Sequence, residues 1–231
     1  MPGFDIVKKV TAPHSFRASA IISNFDIDTS HIDEHFVGEI DPQDGWQIGL
    51  IVGGSGTGKT TIAKEVFKDA YFCQYEYKAD AVIDDMPKAS VKDIEKAFTA
   101  VGFCSPPSWL KPYAVLSNGE KMRVDLARCI LDEKPLVVFD EFTSVVNREC
   151  AKTTACAISK AIRKTDKQFV AVSCHDDIVE WLQPDWIYDT DQKCFFQQRG
   201  NTSAPKLNLK YTGLATGIKK QYGKYFGSIT I

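Results

Sequence analysis

The sequence predicts an α/β protein with a mostly parallel sheet, and two observations carry this prediction. Three runs are almost entirely apolar, which is typical of strands buried on both faces of a sheet: WQIGLIV (46–52), PLVVFD (135–140) and QFVAVSC (168–174). Segments with helical spacing alternate with these runs along the chain. Because parallel strands need long crossover connections, this alternation predicts helices packed on a parallel sheet.

Further strands are predicted on weaker patterns. FRASAIISNF (16–25) alternates partly, as an antiparallel strand does, and YFCQY (71–75) is a short strand candidate. Near the end of the chain, DWIYD (185–189) and CFFQQ (194–198) form a predicted hairpin. The sequence therefore predicts an antiparallel N-terminal portion and a final hairpin beside the parallel strands.

Helices are predicted from apolar spacing and from caps. The helix over 90–102 has Ser90 as its N-cap and Gly102 as its C-cap. Over 119–133, apolar residues recur every four positions and Pro135 stops the helix. Other helices are predicted over 60–70, 148–164 and 176–182.

Composition bounds the class of protein. The chain has 231 residues, 44% of them hydrophobic, and a net charge of −2, which favours one large domain. No apolar run approaches the roughly 20 residues that span a bilayer, and the N-terminus lacks the apolar core of a secretory signal. The seven cysteines form no CxxC pair, so we expect reduced thiols in a cytoplasmic protein rather than a zinc site.

A glycine-rich motif follows the first apolar run. Gly53, Gly58, Lys59 and Thr60 match the P-loop pattern G-x-x-x-x-G-K-[ST] in full. Glycines let backbone N–H groups converge on phosphate, the lysine reaches the β- and γ-phosphates, and the threonine hydroxyl ligates Mg²⁺. The alternative is a glycine-rich turn, but the strand before it and the helix after it favour ATP and Mg²⁺ binding. The predicted nucleotide contacts are Gly53, Gly54, Ser55, Gly56, Thr57, Gly58, Lys59, Thr60 and Thr61.

Two acids end the second apolar run. Asp140 and Glu141 lie where the C-terminal edge of a parallel sheet is expected, and ligands bind at that edge. Asp140 is therefore a predicted Mg²⁺ ligand together with Thr60. Glu141, as its neighbour, is the predicted residue that activates water for hydrolysis.

Three further stretches carry a resemblance. LSNGEKMRVDLAR (116–128), DEFTSVVN (140–147) and VAVSCHDD (170–177) follow the P-loop in the order of the ATPase domain of the ABC superfamily, which the sequence resembles over roughly 16–200. The resemblance implies a P-loop NTPase fold of the ABC-ATPase type with a reduced helical insert. It also implies ATP hydrolysis in a head-to-tail homodimer that sandwiches two ATP molecules.

Several residue roles come from this resemblance. Ser117 and Gly119 would contact the γ-phosphate bound by the partner's P-loop, and His175 would contact the γ-phosphate and order the water near Glu141. Gln74 would touch Mg²⁺, although it follows the P-loop lysine by only 15 residues and an exposed strand-end glutamine is the alternative. Phe25 would stack on adenine, with a simple core phenylalanine as its equal rival.

The chain also departs from the family pattern. Asn118 and Glu120 replace a glycine and the glutamine of the LSGGQ signature, Asn147 replaces an aspartate, and Phe142 replaces a proline. None of these changes removes a phosphate or metal ligand, so hydrolysis is still expected. The two asparagines bear on turnover rate and on how closely the dimer shuts.

Within the superfamily, the resemblance is greatest to soluble ABC-type ATPases that are often fused to a predicted acetyltransferase domain. WQIGLIVGGSGTGKTT, AVIDDMP, GFCSPPSWLKPYAVLSNGEKMR and FDEFTSVVNR carry it. Only residues 199–231 follow the predicted final hairpin, so we expect no fused domain and no acetyl transfer. Only 55 residues separate Thr60 from Leu116, which leaves little room for docking a membrane partner.

The end of the chain differs in composition from the rest. Residues 192–231 hold seven basic residues and no acid, interleaved with Tyr211, Tyr222, Tyr225 and Phe226. Since the whole chain carries −2, the residues before this stretch carry about −9, and packing of the basic stretch on that acidic body is one interpretation. Binding of nucleic acid is the other. The predicted division is an ATPase domain over 1–198 and an extension over 199–231.

Two functional classes follow. The first is a Mg²⁺-dependent ATP hydrolase acting on nucleic acid or nucleoprotein. The second is an ATP-dependent assembly or regulatory switch, or the nucleotide-binding subunit of a transporter. A kinase is disfavoured, because it needs neither the LSNGE motif nor the histidine after the third apolar run.

Overall fold

The computed structural model describes residues 3–9, 15–27, 34–72 and 75–197, so Gln74 and the extension 199–231 lie outside the described residues. Its main sheet has six strands in the order β4–β5–β6–β3–β7–β8. Five neighbouring strands are parallel and β8 is antiparallel to β7. These strands are β3 (Ile48–Val52), β4 (Tyr71–Phe72), β5 (Leu136–Phe139), β6 (Gln168–Ser173), β7 (Trp186–Asp189) and β8 (Cys194–Gln197).

Helices pack on both faces of this sheet, as the alternation of apolar runs predicts. The helices within the described residues are α1 (Phe16–Asn24), α2 (Lys59–Val66), α3 (Val91–Ala100), α4 (Pro106–Trp109), α5 (Asn118–Leu131), α6 (Arg148–Ile162) and α7 (Ile178–Leu182). None of the helices within the described ranges is long and apolar enough to cross a membrane.

Alternate residues of the central strands face two separate cores. Leu50 and Val52 pack with the core that includes α3, α5, α6 and α7. Ile51, between them, packs with Ile62 of α2 on the other face. Because both faces are covered, the strand reads as an uninterrupted apolar run, and the buried-strand prediction is confirmed.

The antiparallel portion exists, but its strands are not the predicted one. β1 (Gly3–Lys8) and β2 (Glu34–Glu39) pair antiparallel as a separate two-stranded sheet. Phe4 of β1 packs edge-on against Tyr188 of β7, with ring centroids 5.6 Å apart, so this small sheet lies against the main one. It brings β2 beside the turn that follows β3.

The strand predicted over 16–25 is wrong, because these residues form helix α1. The Ser15 side chain accepts a hydrogen bond from the Ala18 N–H at 3.2 Å and caps the helix. Apolar residues at 18, 21, 22 and 25 also have helical spacing, which outweighs the partial alternation. None of the residues of α1 is buried.

The insert between α2 and α5 is small and helical. Phe98 of α3 packs edge-on against Phe103, and the Trp109 indole N–H of α4 donates to the Phe103 carbonyl at 2.9 Å. Asp85 holds the start of the insert by accepting hydrogen bonds from the backbone N–H groups of residues 78 and 79. The insert thus forms a compact unit against α5.

Candidate functional site

The turn between β3 and α2 has the geometry of a phosphate cradle. Gly56 and Gly58 have φ values of +83° and +85°, which side chains rarely adopt, and a Cβ atom at Gly58 would overlap the ring of Phe36. Gly58 is the N-cap of α2, and no side chain caps that helix start. The first N–H groups of α2 are therefore left for an anion.

Polar side chains hold the turn from behind. The Thr57 hydroxyl donates to the Gly54 carbonyl at 2.9 Å and lies 2.5 Å from the Thr190 hydroxyl. The Gly54 N–H donates to the carboxylate of Asp191 at 2.7 Å. Thr190 and Asp191 follow β7, and sequence reasoning missed them because their partners are distant along the chain.

Two of the three predicted metal ligands are brought together. The Thr60 hydroxyl donates to Oδ2 of Asp140 at 2.8 Å, although the two residues are 80 positions apart in sequence. Among the described residues, no group of three or more His, Cys, Asp or Glu is arranged to hold a metal ion. One hydroxyl and one carboxylate fit Mg²⁺, which takes few protein ligands and completes its shell with phosphate oxygens and water.

Lys59 and Glu141 line one cleft of about 280 Å³. Its other lining residues come from the cradle, from the two-stranded sheet and from the end of β6: Lys8, Glu34, Ser55, Gly56, Gly58, Thr60, Thr61 and Cys174. The Lys59 ammonium donates to the Gly54 carbonyl at the edge of the cradle. A cation and a carboxylate that line the same cleft suit a triphosphate and an attacking water.

Glu141 is held in an uncommon backbone conformation. Its φ is +52°, in the left-handed region, and its N–H donates to Oδ1 of Asp140 at 2.9 Å. The next residue, Phe142, is fully buried and its N–H donates to the Val172 carbonyl at 2.8 Å. Two fixed neighbours therefore aim an exposed carboxylate, which is typical of functional positions.

His175 follows β6, as the sequence predicts. Its N–H donates to the Ser173 hydroxyl at 3.2 Å, and the half-buried ring lies beside Cys174 of the cleft. Arg148, at the start of α6, donates to both carboxylate oxygens of Asp177 and lies over the Trp181 ring. This pair, which sequence reasoning missed, ties the segment after Glu141 to the His175 loop.

Ser117 and Gly119 lie at the start of α5 and do not line the cleft of their own protomer. The Ser117 hydroxyl donates to Oε2 of Glu120 at 2.7 Å, and the Ser117 N–H donates to the same oxygen at 2.9 Å. The hydroxyl also accepts from the Glu120 N–H at 3.4 Å, which completes a capping box. These bonds hold the pKa of Glu120 below its usual range.

Two predicted contacts remain to be considered, that of Phe25 with adenine and that of Gln74 with Mg²⁺. Phe25 follows α1 rather than a strand, is 72% exposed and is outside the cleft lining, so its adenine role remains a prediction. Phe36, on β2, lies against Gly58. This contact was not predicted, because the sequence shows no clear pattern for strand β2. Gln74 lies outside the described residues.

Comparison with known proteins places the chain. A family model for ATPases associated with various cellular activities (AAA) matches residues 49–180. The thiamine import ATP-binding protein ThiQ of Histophilus somni (strain 129Pt) is 32% identical over 88 residues, which are 38% of this chain and 40% of that protein. The ATP-dependent lipid A-core flippase of Pseudoalteromonas translucida (strain TAC 125) is 27% identical over 110 residues, 48% of this chain and 18% of that protein. The chain thus spans less than half the length of both relatives.

Solved structures share the fold at low identity. The dimeric post-hydrolysis state of the ATP-binding cassette MJ0796 bound to ADP and Pi has a TM-score of 0.53 at 13% identity, over 68% of this chain and 87% of that one. An inward-facing putative metal-chelate type ABC transporter has a TM-score of 0.55 at 14% identity, over 70% and 75%. From the family match the chain belongs to the AAA family of ATPases, and its fold is the one seen in ATP-binding cassettes.

Proposed function

We propose that the chain hydrolyses ATP with Mg²⁺ as a nucleotide-sandwich homodimer and that this cycle drives a process on nucleic acid or nucleoprotein. The observation that carries the hydrolytic part is the convergence of Lys59, the Thr60–Asp140 pair and Glu141 on one cleft. The basic and aromatic composition of residues 192–231 supports the nucleic-acid part.

In this mechanism, the N–H groups at the start of α2 and the Lys59 ammonium bind the β- and γ-phosphates. Thr60 and Asp140 hold Mg²⁺, which neutralises charge on the phosphates when bound. The Glu141 carboxylate accepts a proton from the attacking water. His175, at the end of β6, orients the γ-phosphate and that water.

The partner protomer completes the site. Ser117 and Gly119 lie outside their own protomer's cleft, and they start a helix whose N–H groups suit an anion. In the dimer they contact the γ-phosphate held by the other cradle. The dimeric state of MJ0796 bound to ADP and Pi supports this arrangement by analogy of fold.

Replacing Glu141 with Gln tests the hydrolytic proposal. The amide cannot accept the proton, so turnover should fall by about a thousandfold while ATP still binds. The variant should then accumulate as a dimer on gel filtration with Mg²⁺ and ATP, and replacement of the exposed Glu149 of α6 with Gln is the matched control. Full phosphate release by Glu141→Gln, or a monomer at saturating ATP, contradicts the proposal.

Nucleic-acid binding is tested separately on the full chain. Lys219, Lys220 and Lys224 are replaced together by Ala, and Lys88, Lys92 and Lys96, which are exposed around α3, provide a matched control. The affinity of the wild type for a labelled single-stranded oligonucleotide should fall as the salt concentration rises. The slope of the logarithm of affinity against the logarithm of salt concentration should be smaller by about 2 in the variant with the three tail lysines replaced, which we call the tail variant. Equal slopes in the tail variant and the control contradict the nucleic-acid role.

A transporter subunit is the second candidate, because ThiQ is named as a thiamine import ATP-binding protein. The small insert between α2 and α5 disfavours it, since helices in this place are where a membrane partner would dock. Co-purification with a membrane protein, together with oligonucleotide affinity independent of the tail lysines, would favour the transporter role.

A further inference from the structure

A cluster outside the ATP cleft joins α5 to two other segments. The Tyr77 hydroxyl donates to Oδ1 of Asp125 at 2.7 Å, and the Tyr113 hydroxyl donates to Oδ2 at 2.9 Å. The two phenol rings are stacked in parallel, with centroids 3.8 Å apart. We call Tyr77, Tyr113 and Asp125 the tyrosine clamp.

The clamp holds a costly group in place. Asp125 is half-buried, and burial raises its pKa to about 6 in spite of the two phenol hydrogen bonds. Burial also raises the pKa of both phenols, so they remain donors. A carboxylate in this position loses hydration, and the two phenol hydrogen bonds together with the charges of Arg128 and Lys121 offset part of that cost. None of these three residues lines the ATP cleft.

The segment 75–77 is held by more than one residue of α5. The Arg128 guanidinium lies 4.4 Å from the Tyr75 ring centroid and 5.0 Å from that of Tyr77, and its Nη1 donates to the Glu76 carbonyl at 2.9 Å. This segment comes shortly after β4, which pairs with β5. Because β5 leads directly to Asp140, the clamp connects α5 to the strand layer that carries the catalytic acids.

The other arm of the clamp leads to the signature residue. Tyr113 precedes Ser117 by four residues, and Asp125 lies about two helical turns beyond Ser117 on α5. The Asp125 carboxylate therefore accepts one hydrogen bond from the segment that follows β4 and one from the segment that precedes α5. Each phenol hydrogen bond thus fixes one of these two segments to α5.

We infer that Asp125, Tyr77 and Tyr113 are positioning residues that set where Ser117 stands relative to the sheet, and so how readily two protomers close on ATP. This inference rests on the proposed sandwich dimer. Binding of ATP to one cradle does not use the clamp, whereas closure and hydrolysis depend on it.

The test replaces each phenol with Phe in the full chain. Tyr77→Phe and Tyr113→Phe keep the stacked rings and lose one hydrogen bond to the carboxylate each. Each should lower kcat by roughly fivefold to tenfold while the ATP affinity of the monomer changes less than about twofold. In a Glu141→Gln background, each should also raise the ATP concentration needed for dimer formation by a similar factor.

Tyr75→Phe is the matched control. Its hydroxyl donates to Oδ2 of Asp132, at the far end of α5 from Ser117, at 3.1 Å. Thermal melting of all three variants shows whether they remain folded. A merely structural role predicts that Tyr75→Phe lowers kcat as much as the other two do, and that result overturns the inference.

The outcomes separate this inference from the proposed function. If the wild type hydrolyses ATP and forms the ATP-dependent dimer, but both clamp variants match it in kcat and in dimer formation, the clamp has no positioning role. If the wild type forms no dimer with ATP, the sandwich itself is wrong. Should one clamp variant fail to fold, the other still decides the question.

Discussion

Two helix starts in this molecule are proposed to meet the same triphosphate, and they are prepared for it differently. α2 begins at Gly58 with no side-chain cap, so its N–H groups remain available. α5 begins at Ser117 with a complete capping box, in which the Glu120 carboxylate accepts hydrogen bonds from the hydroxyl and the N–H of Ser117. The first start is built to hold an anion from solution, whereas the second already holds one of its own.

In the proposed dimer, the start of α5 must therefore rearrange before it can bind a phosphate. For Ser117 to donate its hydroxyl to a γ-phosphate, it must leave Glu120, and the carboxylate then lies near the incoming phosphate. Like charges at such distances repel, and the repulsion is larger where water is excluded. The departure from glutamine at position 120 thus bears on closure, while the cradle is unaffected.

The largest effect is expected at the uncapped start. Lys59→Ala removes the one lysine of the cradle, and ATP affinity should fall by about a hundredfold or more, because charge-assisted bonds to the triphosphate are lost. Lys64→Ala, an exposed lysine of the same helix, is the matched control. Titration with a fluorescent ATP analogue measures both, and unchanged affinity of Lys59→Ala would remove the cradle from the mechanism.

The two helix starts also show which parts of the structure can be predicted from the sequence. The cradle, β3 and α2 are contiguous, so a pattern of residues predicts them and the structure agrees. The parallel sheet can also be predicted from the sequence, because strands buried on both faces give uninterrupted apolar runs. Ser117 as a cap is local too, but its bond to Glu120 depends on rotamers that the sequence does not state.

What the sequence missed depends on long-range contacts. β1 and β2 pair across a 25-residue connection that contains α1, and their mixed composition carries no strong period. Phe36, Thr190 and Asp191 reach the cradle only because the sheet brings their elements beside it. The strand predicted over 16–25 was wrong because alternation over a few residues does not exclude helical spacing.

A smaller effect is expected at the capped start. Glu120→Gln keeps a side chain that accepts from Ser117 but removes the charge, so closure on ATP should need roughly threefold to tenfold less nucleotide. Glu95→Gln, at an exposed position of α3, is the matched control. Light scattering of the dimer in a Glu141→Gln background gives the midpoint. A midpoint that stays the same or rises shows that the charge at 120 does not oppose closure.

A third effect concerns two acids of α5 whose pKa values move in opposite directions. Hydrogen bonds from Ser117 lower the pKa of Glu120, so its ionised form stabilises the fold and that contribution is lost as the pH falls. Burial raises the pKa of Asp125 to about 6, so the folded state holds its proton longer than the unfolded chain does. Its contribution to the free energy of unfolding therefore declines as the pH rises from about 4 to 6.

Urea unfolding at several pH values separates the two. Asp125→Asn has no carboxylate to ionise, so its free energy of unfolding should gain about 2 kcal/mol relative to wild type between pH 4 and pH 7. Glu120→Gln tests the opposite pH dependence. The contribution of Glu120 to the free energy of unfolding should be lost on acidification in wild type, and the variant should not show this loss. Because Asp125 is enclosed by the clamp and Glu120 faces solvent at the helix start, salt should weaken the second slope more than the first. Parallel profiles for wild type and Asp125→Asn would mean that the clamp carboxylate titrates as an exposed one does.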